Sequence, residues 1–424
     1  MKSKRFTLIG LSALFVSLLV SCKKDFQNSD AVSTSGSNAA IARYNPFGLN
    51  VMKSASDENP DHITNPDFHY LLSETSSIAL ANDYGVQYYR MKISHDAWVQ
   101  NNVRDTFFVN YKNANQHGLK VVLNVNWDSQ EDTPQPFANP ADYTDFLSDV
   151  LDSCSAMHLK PAMIVVENEE GNYTKHQIDT SSVAGINADC QKYVDILNAA
   201  VSVCKTYTWW DGTKAQKLTN GGYTTRQLTF LVWDWLKNEK NQPDQARTYA
   251  NNTMPPAVVK DLYEKPQPPY IANPIAIGKF YTASYSSVAF SYTNVHWYEP
   301  VKIRNWSNTR EHSTPWKKGV SPDTISKGGI DWVLAYLGEK IPKRIISNEA
   351  GQLTNSAKLN KAITDKFLSR PFNAFDIAVW FDGDGKGNYD PVALHNTIED
   401  AKGNWYYTFR SNGLQFKTTN AGLK

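Results

Sequence analysis

Eight short apolar runs alternate with amphipathic segments, no Gly-rich phosphate loop follows the first run, and two of the runs end in glutamates. Together these features predict an α/β fold: a closed (β/α)8 barrel of the TIM type, with insertions in the loops at the C-terminal face. Strands that alternate with helices favour parallel pairing in βαβ units. The first strand is read at Phe47–Val51, followed by a helix with Leu71, Leu72, Ile78 and Leu80 on its apolar side. The second is Gly85–Ile93; the next helix runs from Thr106 to His117, with Gly118 suited to its C′ position. Leu119–Trp127 is the third strand, and Asn139 with Pro140 makes an N-cap and first-turn pair. They open a helix whose Tyr143, Phe146, Leu147, Val150 and Leu151 keep helical spacing. Ala162–Val166 is the fourth strand and leads into Glu167-Asn168-Glu169-Glu170. A helix striped by Cys190, Val194, Leu197, Val201 and Cys204 precedes a weaker fifth strand at Lys217–Gly222 and a helix over Leu228–Leu236.

The second half is more interrupted. Residues 237–275 are polar and Pro-rich, with Pro255, Pro256, Pro266 and Pro269, and read as an insertion within one domain. The sixth strand is Ser291–Tyr298, a long loop holds Trp306, His312 and Trp316, and a helix follows around Ile330–Leu337. Arg344–Glu349 is the seventh strand, Ala357–Leu368 a helix and Phe375–Phe381 the eighth strand. The tail after Gly383 fits the pattern poorly: no eighth helix is placed, and Trp405–Phe416 reads as a hairpin.

The N-terminus reads as an export signal. Lys2, Lys4 and Arg5 precede an apolar run from Leu8 to Val20, too short to span a bilayer comfortably. Leu19-Val20-Ser21-Cys22 then resembles a bacterial lipobox, which implies a signal peptide over 1–21 and lipidation of Cys22. Residues 22–44 lack any hydrophobic period and read as a flexible tether, leaving 45–424 as the barrel domain. The expected location is the bacterial cell envelope, at the outer membrane and facing the periplasm or the surface, held only by the lipid anchor. A net charge of +1 gives no sign of a nucleic-acid partner. Twelve Trp and 22 Tyr exceed what catalysis alone would use, but flat aromatic faces also stack on sugars. Cys190 and Cys204 would lie roughly 21 Å apart on one helix, too far for a disulfide. Three buried thiols are expected; Cys154 with Cys204 is the better pair if a bridge forms.

Barrel enzymes carry their catalytic groups at the C-terminal ends of strands. Glu169 and Glu349 occupy that place on strands four and seven, and glycosidic hydrolysis uses two carboxyl groups. This arrangement resembles clan A of the glycoside hydrolases, over roughly residues 46–385. The resemblance implies a retaining enzyme acting on an extracellular oligo- or polysaccharide, with Glu169 as acid/base and Glu349 as nucleophile. It further implies that Arg90 lies beside the nucleophile, that His296 or Tyr298 helps hold it, that Asn168 binds the sugar 2-hydroxyl and that Trp380 floors the reacting subsite. Trp127, ending strand three, is a second stacking candidate. No cofactor and no metal are expected. Alternation also puts Tyr292, Asn294, His296 and Tyr298 on one face of strand six. The chain departs from the clan in two places: Glu170 stands where Pro is common, and Glu167 is a third carboxylate of the same parity as Glu169. Asn238-Glu239 shows that the Asn-Glu dipeptide alone carries no information. The run from Asp382 to Asp390 has the look of a calcium loop, but Lys386 falls at a ligand position, so a Gly-rich turn is the better reading. The competing function is a glycan-binding surface lipoprotein on a barrel scaffold, which would keep the aromatics without needing both glutamates. Sugar, linkage and mode of attack depend on the loops at 128–139, 171–186, 237–290 and 299–323.

Overall fold

The computed structural model describes residues 45–51, 73–127, 135–171, 176–214, 216–254, 256–264, 269–299, 329–352, 357–368, 375–383, 393–399, 401–402 and 405–423. Cys22, the tether, Trp306, His312, Trp316 and 384–390 of the Gly-rich turn lie outside them. Eight parallel strands form the closed barrel in sequence order: β1 (Phe47–Val51), β2 (Tyr88–Ser94), β3 (Lys120–Asn126), β4 (Met163–Val166), β5 (Leu218–Asn220), β6 (Tyr292–Glu299), β7 (Arg344–Gln352) and β8 (Ala378–Asp382). The eighth strand closes on the first through Leu49 opposite Trp380. Among the described residues no helix is long and apolar enough to cross a membrane.

The surrounding helices are α1 (Glu74–Tyr84), α2 (His95–Trp98), α3 (Asn101–Gln116), α4 (Pro140–Ala156), α5 (Val183–Thr206), α6 (Thr225–Asp234), α7 (Pro243–Thr253), α8 (Pro256–Glu264), α9 (Pro269–Ser287), α10 (Ile330–Lys340), α11 (Ala357–Leu368) and α12 (Ser411–Ala421). Their starts follow local chemistry. Asn139 accepts the Ala141 amide at 2.9 Å with Pro140 in the first turn of α4, as the sequence predicts. Thr224 and Gln227 form a capping box on α6. Gly118 ends the α3 region with φ at +77°.

One reading of the sequence is filled in and another needs correction. The Pro-rich insertion is helical: α7, α8 and α9 begin at Pro243, Pro256 and Pro269, because a ring that fixes φ and lacks an N–H suits a helix start. The tail is only partly a hairpin. A short antiparallel pair, β9 (His395–Glu399) with β10 (Trp405–Phe409), leads into α12, which packs on α1 and α11 and completes the helical layer. Cys154, Cys190 and Cys204 are free and buried, and burial pushes each thiol up to about 12.

The lumen is layered. Val122, Met163, Val165, Tyr292, Ile346, Ile377 and Val379 form an apolar plug at the N-terminal end of the strands. Side chains on a strand alternate between faces. The next inward positions above this plug are therefore Arg90, Asn124, Asn294 and Asn348, all buried and polar. The plug supports the polar layer from below, and the C-terminal face of the barrel opens above it.

Candidate active site

The polar layer is wired as one network centred on Arg90. Its Nη1 donates to Glu349 Oε2 at 2.6 Å, Nη2 to Asn168 Oδ1 at 2.8 Å and Nε to Asn124 Oδ1 at 3.1 Å. Tyr298 Oη donates to the other Glu349 oxygen at 2.6 Å. Burial first, and then the neighbouring Glu349 carboxylate, holds the Tyr298 phenol well above its ordinary range, so it stays a donor. The structure thus brings Arg90, Glu349 and Tyr298, all named from the sequence, into contact.

Glu349 reaches the lumen because β7 bulges. Asn294 pairs with Ile346, yet His296 pairs with Glu349; likewise Ser347 pairs with Ala378 and Ala350 with Trp380. Three residues on β7 thus span two on each neighbour, one extra residue that lets consecutive Asn348 and Glu349 both face inward. Asn348 was not singled out by the sequence, since a bulge leaves no mark in its alternation.

The turn after β4 is bent in the same spirit. Glu167 and Glu169 both adopt left-handed backbone, with φ of +62° and +51°. Such conformations cost of order 1–3 kcal/mol for a non-glycine residue, and here the neighbours supply the restraint. Asn124 Nδ2 donates to the Glu167 carbonyl at 3.3 Å, Glu167 Oε1 accepts the Trp127 amide at 2.8 Å, and the Glu169 amide donates to the Gly221 carbonyl at 3.1 Å. Alternation is broken, so Glu167 is tied to the end of β3 while Asn168 and Glu169 face the site. Glu169, and not Glu167, thus lies beside His296.

His296 connects the two halves. Arg90 only donates, so Asn124 must turn Oδ1 toward it. The same Oδ1 accepts from Asn348 Nδ2 at 2.7 Å, which turns Asn348 Oδ1 toward His296 Nε2 at 2.6 Å. Nε2 therefore carries a proton. Nδ1 lies 3.0 Å from Glu169 Oε1 and 3.9 Å from Glu349 Oε2. A proton on Nδ1 is donated to the Glu169 carboxylate. Burial opposes charging of the ring, but the Glu349 and Glu169 carboxylates outweigh it and hold its pKa above the ordinary value. The expectation that His296 steadies Glu349 is thus modified: its closer partner is Glu169. Gly222, with φ of +107°, leaves room for this ring, and a Cβ there would sit 2.5 Å from two of its atoms. We expect Gly222→Ala to destabilise the fold by about 1–3 kcal/mol and to lower kcat at least tenfold by displacing His296. Thermal unfolding with steady-state kinetics checks this; wild-type kcat would show that the ring position is unimportant.

The two tryptophans are not where the resemblance puts them. Val379 lies in the luminal plug, so Trp380 must face outward; it is fully buried against Phe367 of α11 and Phe416 of α12. The inward aromatic on β8 is the next residue, Phe381, edge-on to Tyr298 at 6.2 Å. Trp127 likewise follows the inward Asn126 and stacks on His95 at 4.1 Å beside Phe146 of α4, in the outer layer. Strand parity counted from the buried valines would have found Phe381.

One carboxylate oxygen of Glu169, one of Glu349 and a nitrogen of His296 all lie within 4.8 Å of one another. Three such donors are close enough to surround a cation. The Glu349 oxygens, however, are engaged by Arg90 and Tyr298, and Glu169 by His296, a pattern suited to proton transfer. Glu169 is the more open of the pair, 27% exposed against 16% for Glu349.

No family model and no curated protein matches the chain. Among solved structures, it is similar to the family 1 β-glucosidase of Thermotoga maritima, at 14% identity over 92% of this chain and 100% of that one, with a TM-score of 0.50. The same enzyme in complex with glucoimidazole aligns at 12% identity over 90% and 99%, also with a TM-score of 0.50. A GH30 endoxylanase from Clostridium papyrosolvens aligns at 12% identity over 91% and 73%, with a TM-score of 0.43. The likeness shows the fold, a closed (β/α)8 barrel.

Proposed function

We propose that the protein is a retaining glycoside hydrolase acting on an oligo- or polysaccharide outside the cell. The observation that carries this reading is that Glu169 and Glu349, from the ends of β4 and β7, bring one carboxylate oxygen each within 4.8 Å of the other. Retaining enzymes hold their carboxyl groups about 5–5.5 Å apart, whereas inverting ones leave about 6.5–9.5 Å for a water. Glu349 attacks the anomeric carbon as the glycosidic C–O bond breaks, and Glu169 gives its proton to the departing oxygen. A water then attacks the glycosyl ester, yielding its proton to Glu169 and freeing Glu349. Arg90 and Tyr298 keep Glu349 oriented and supplied with donors. His296 holds the Glu169 carboxyl through Oε1, and Phe381 lies where a sugar ring could pack against it.

The test is a panel of 4-nitrophenyl glycosides and plant, fungal and host polysaccharides, with the first-formed anomer of any cleaved substrate followed by proton NMR. Retention is expected. Inversion would contradict the mechanism, and a glycan bound but not cut would put the glycan-binding reading ahead.

A further inference from the structure

Glu170 stands beside Glu169, fully buried, in a chamber walled by tyrosines. Its Oε1 accepts from Tyr285 Oη and, at 3.3 Å, from Asn220 Nδ2. Its backbone carbonyl accepts from Tyr281 Oη at 3.2 Å. Tyr281 and Tyr285 are one turn apart on α9, with their rings stacked at 5.3 Å. Both ends of Glu170 are thus held by one helix. Tyr193 of α5 closes the other side, accepting the Gly221 amide at 3.0 Å and donating to the Val166 carbonyl at 3.1 Å.

The second oxygen, Oε2, has no hydrogen-bond partner among the described residues. It shares the space over Gly221 with the carbonyl of Glu167: a Cβ on Gly221 would lie 2.6 Å from Oε2 and 2.8 Å from that carbonyl oxygen. Two acceptors facing one small space tolerate a neutral carboxyl better than a carboxylate, since a buried charge needs every lone pair satisfied. The titratable groups that face Glu170 are Tyr281 and Tyr285 from α9, Tyr193 and Cys190 from α5, Tyr223 after β5, His296 from β6, and Glu167 and Glu169 along its own turn. Among the described residues no Lys or Arg joins them.

We propose that Glu170 is a positioning residue for Glu169: its carboxyl, clamped by Tyr285 and Asn220, pins in neutral form the left-handed turn that aims Glu169 at His296. The proposal rests on Glu169 being the acid/base. Burial first of all pushes the Glu170 pKa up to about 7, while the Tyr285 and Asn220 hydrogen bonds pull it down. Ionisation then loosens the turn as the pH passes neutrality, and catalysis falls with it.

The experiment measures kcat and KM against pH on a 4-nitrophenyl glycoside that the full chain cleaves, for wild type, Glu170→Ala, Glu170→Gln and Tyr285→Phe. Glu170→Ala should lower kcat about 10- to 100-fold, with KM little changed, as expected for a misplaced acid. Glu170→Gln should restore most of that loss and move the alkaline limb near pH 7 upward. Tyr285→Phe removes a donor that favours the charged form, so its limb should also move upward. Wild-type kcat in Glu170→Ala, or an unmoved limb in the other two variants, would overturn the proposal. A second arm needs no substrate. The folded carboxyl binds its proton more tightly than the unfolded one, so wild-type stability should fall relative to Glu170→Gln from about pH 4.5 to about 7 and level off above. A constant Tm gap across that range would refute the neutral clamp. Full activity in Glu169→Gln would instead sink the acid/base reading and leave this second arm standing.

Discussion

Glu349→Gln is expected to lose at least about 10⁴-fold in kcat on any glycoside the wild type cleaves, the scale seen when a covalent nucleophile is removed. The amide keeps the shape and can still meet Arg90 and Tyr298, so the loss reports nucleophilicity and not folding. Glu169→Gln should behave differently. Proton transfer to the leaving oxygen is worth about 10²- to 10⁴-fold, and least where the leaving group is already acidic, as in a 4-nitrophenyl glycoside. The loss in Glu169→Gln should therefore grow steeply from aryl glycosides to natural glycans, while that in Glu349→Gln stays uniform. Azide should rescue Glu169→Ala on aryl substrates, giving a glycosyl azide of retained configuration, because the small anion takes the water's place. Equal losses on both substrate classes would mean that the two roles are assigned to the wrong residues.

Arg90 should show the second large effect, because it acts on both stability and catalysis. Its side chain is 6% exposed, and it supplies three different donors to Glu349, Asn168 and Asn124. Arg90→Met removes the cation while Glu349 remains in the site. Breaking a buried pair in this way costs about 3–5 kcal/mol, here at the lower end because Tyr298 still donates to Glu349. Arg90→Lys keeps the charge but not the planar fork. It should fold with a smaller loss, yet lower kcat at least about 100-fold, because Asn124 is no longer fixed. The amide of Asn348 then loses its imposed direction, and with it the protonated Nε2 of His296. Urea titration of both variants beside kcat measurements separates the two effects. An Arg90→Lys enzyme with wild-type kcat would show that the amide chain plays no part.

The barrel was legible because its signal is local. Each strand is a short apolar run, and helices such as α4 and α11 carry clear caps or spacing. Glu169 and Glu349 could be singled out because strand ends are where a barrel places its chemistry. What escaped the sequence escaped it for physical reasons. The bulge in β7 and the left-handed turn at Glu167 both break the two-residue alternation on which strand reading depends. Trp380 was placed by family position, whereas its parity with Val379 sends it outward. The helix α12 buries Asn412, Gly413, Phe416 and Asn420, a face too polar to show an apolar period. Gly413 is needed there because a Cβ would come within 2.1 Å of the Leu394 carbonyl oxygen. The Pro-rich insertion was placed without secondary structure; its helices begin at Pro243, Pro256 and Pro269.

The central claim, that Glu349 forms a covalent bond to the sugar, is open to direct measurement. The wild type is incubated with a 2-deoxy-2-fluoro glycosyl fluoride matching the cleaved sugar, digested, and sequenced by mass spectrometry. The account predicts one glycosylated peptide, modified at Glu349. Modification at Glu167 or Glu169, or rapid turnover to the inverted sugar without any adduct, would contradict it.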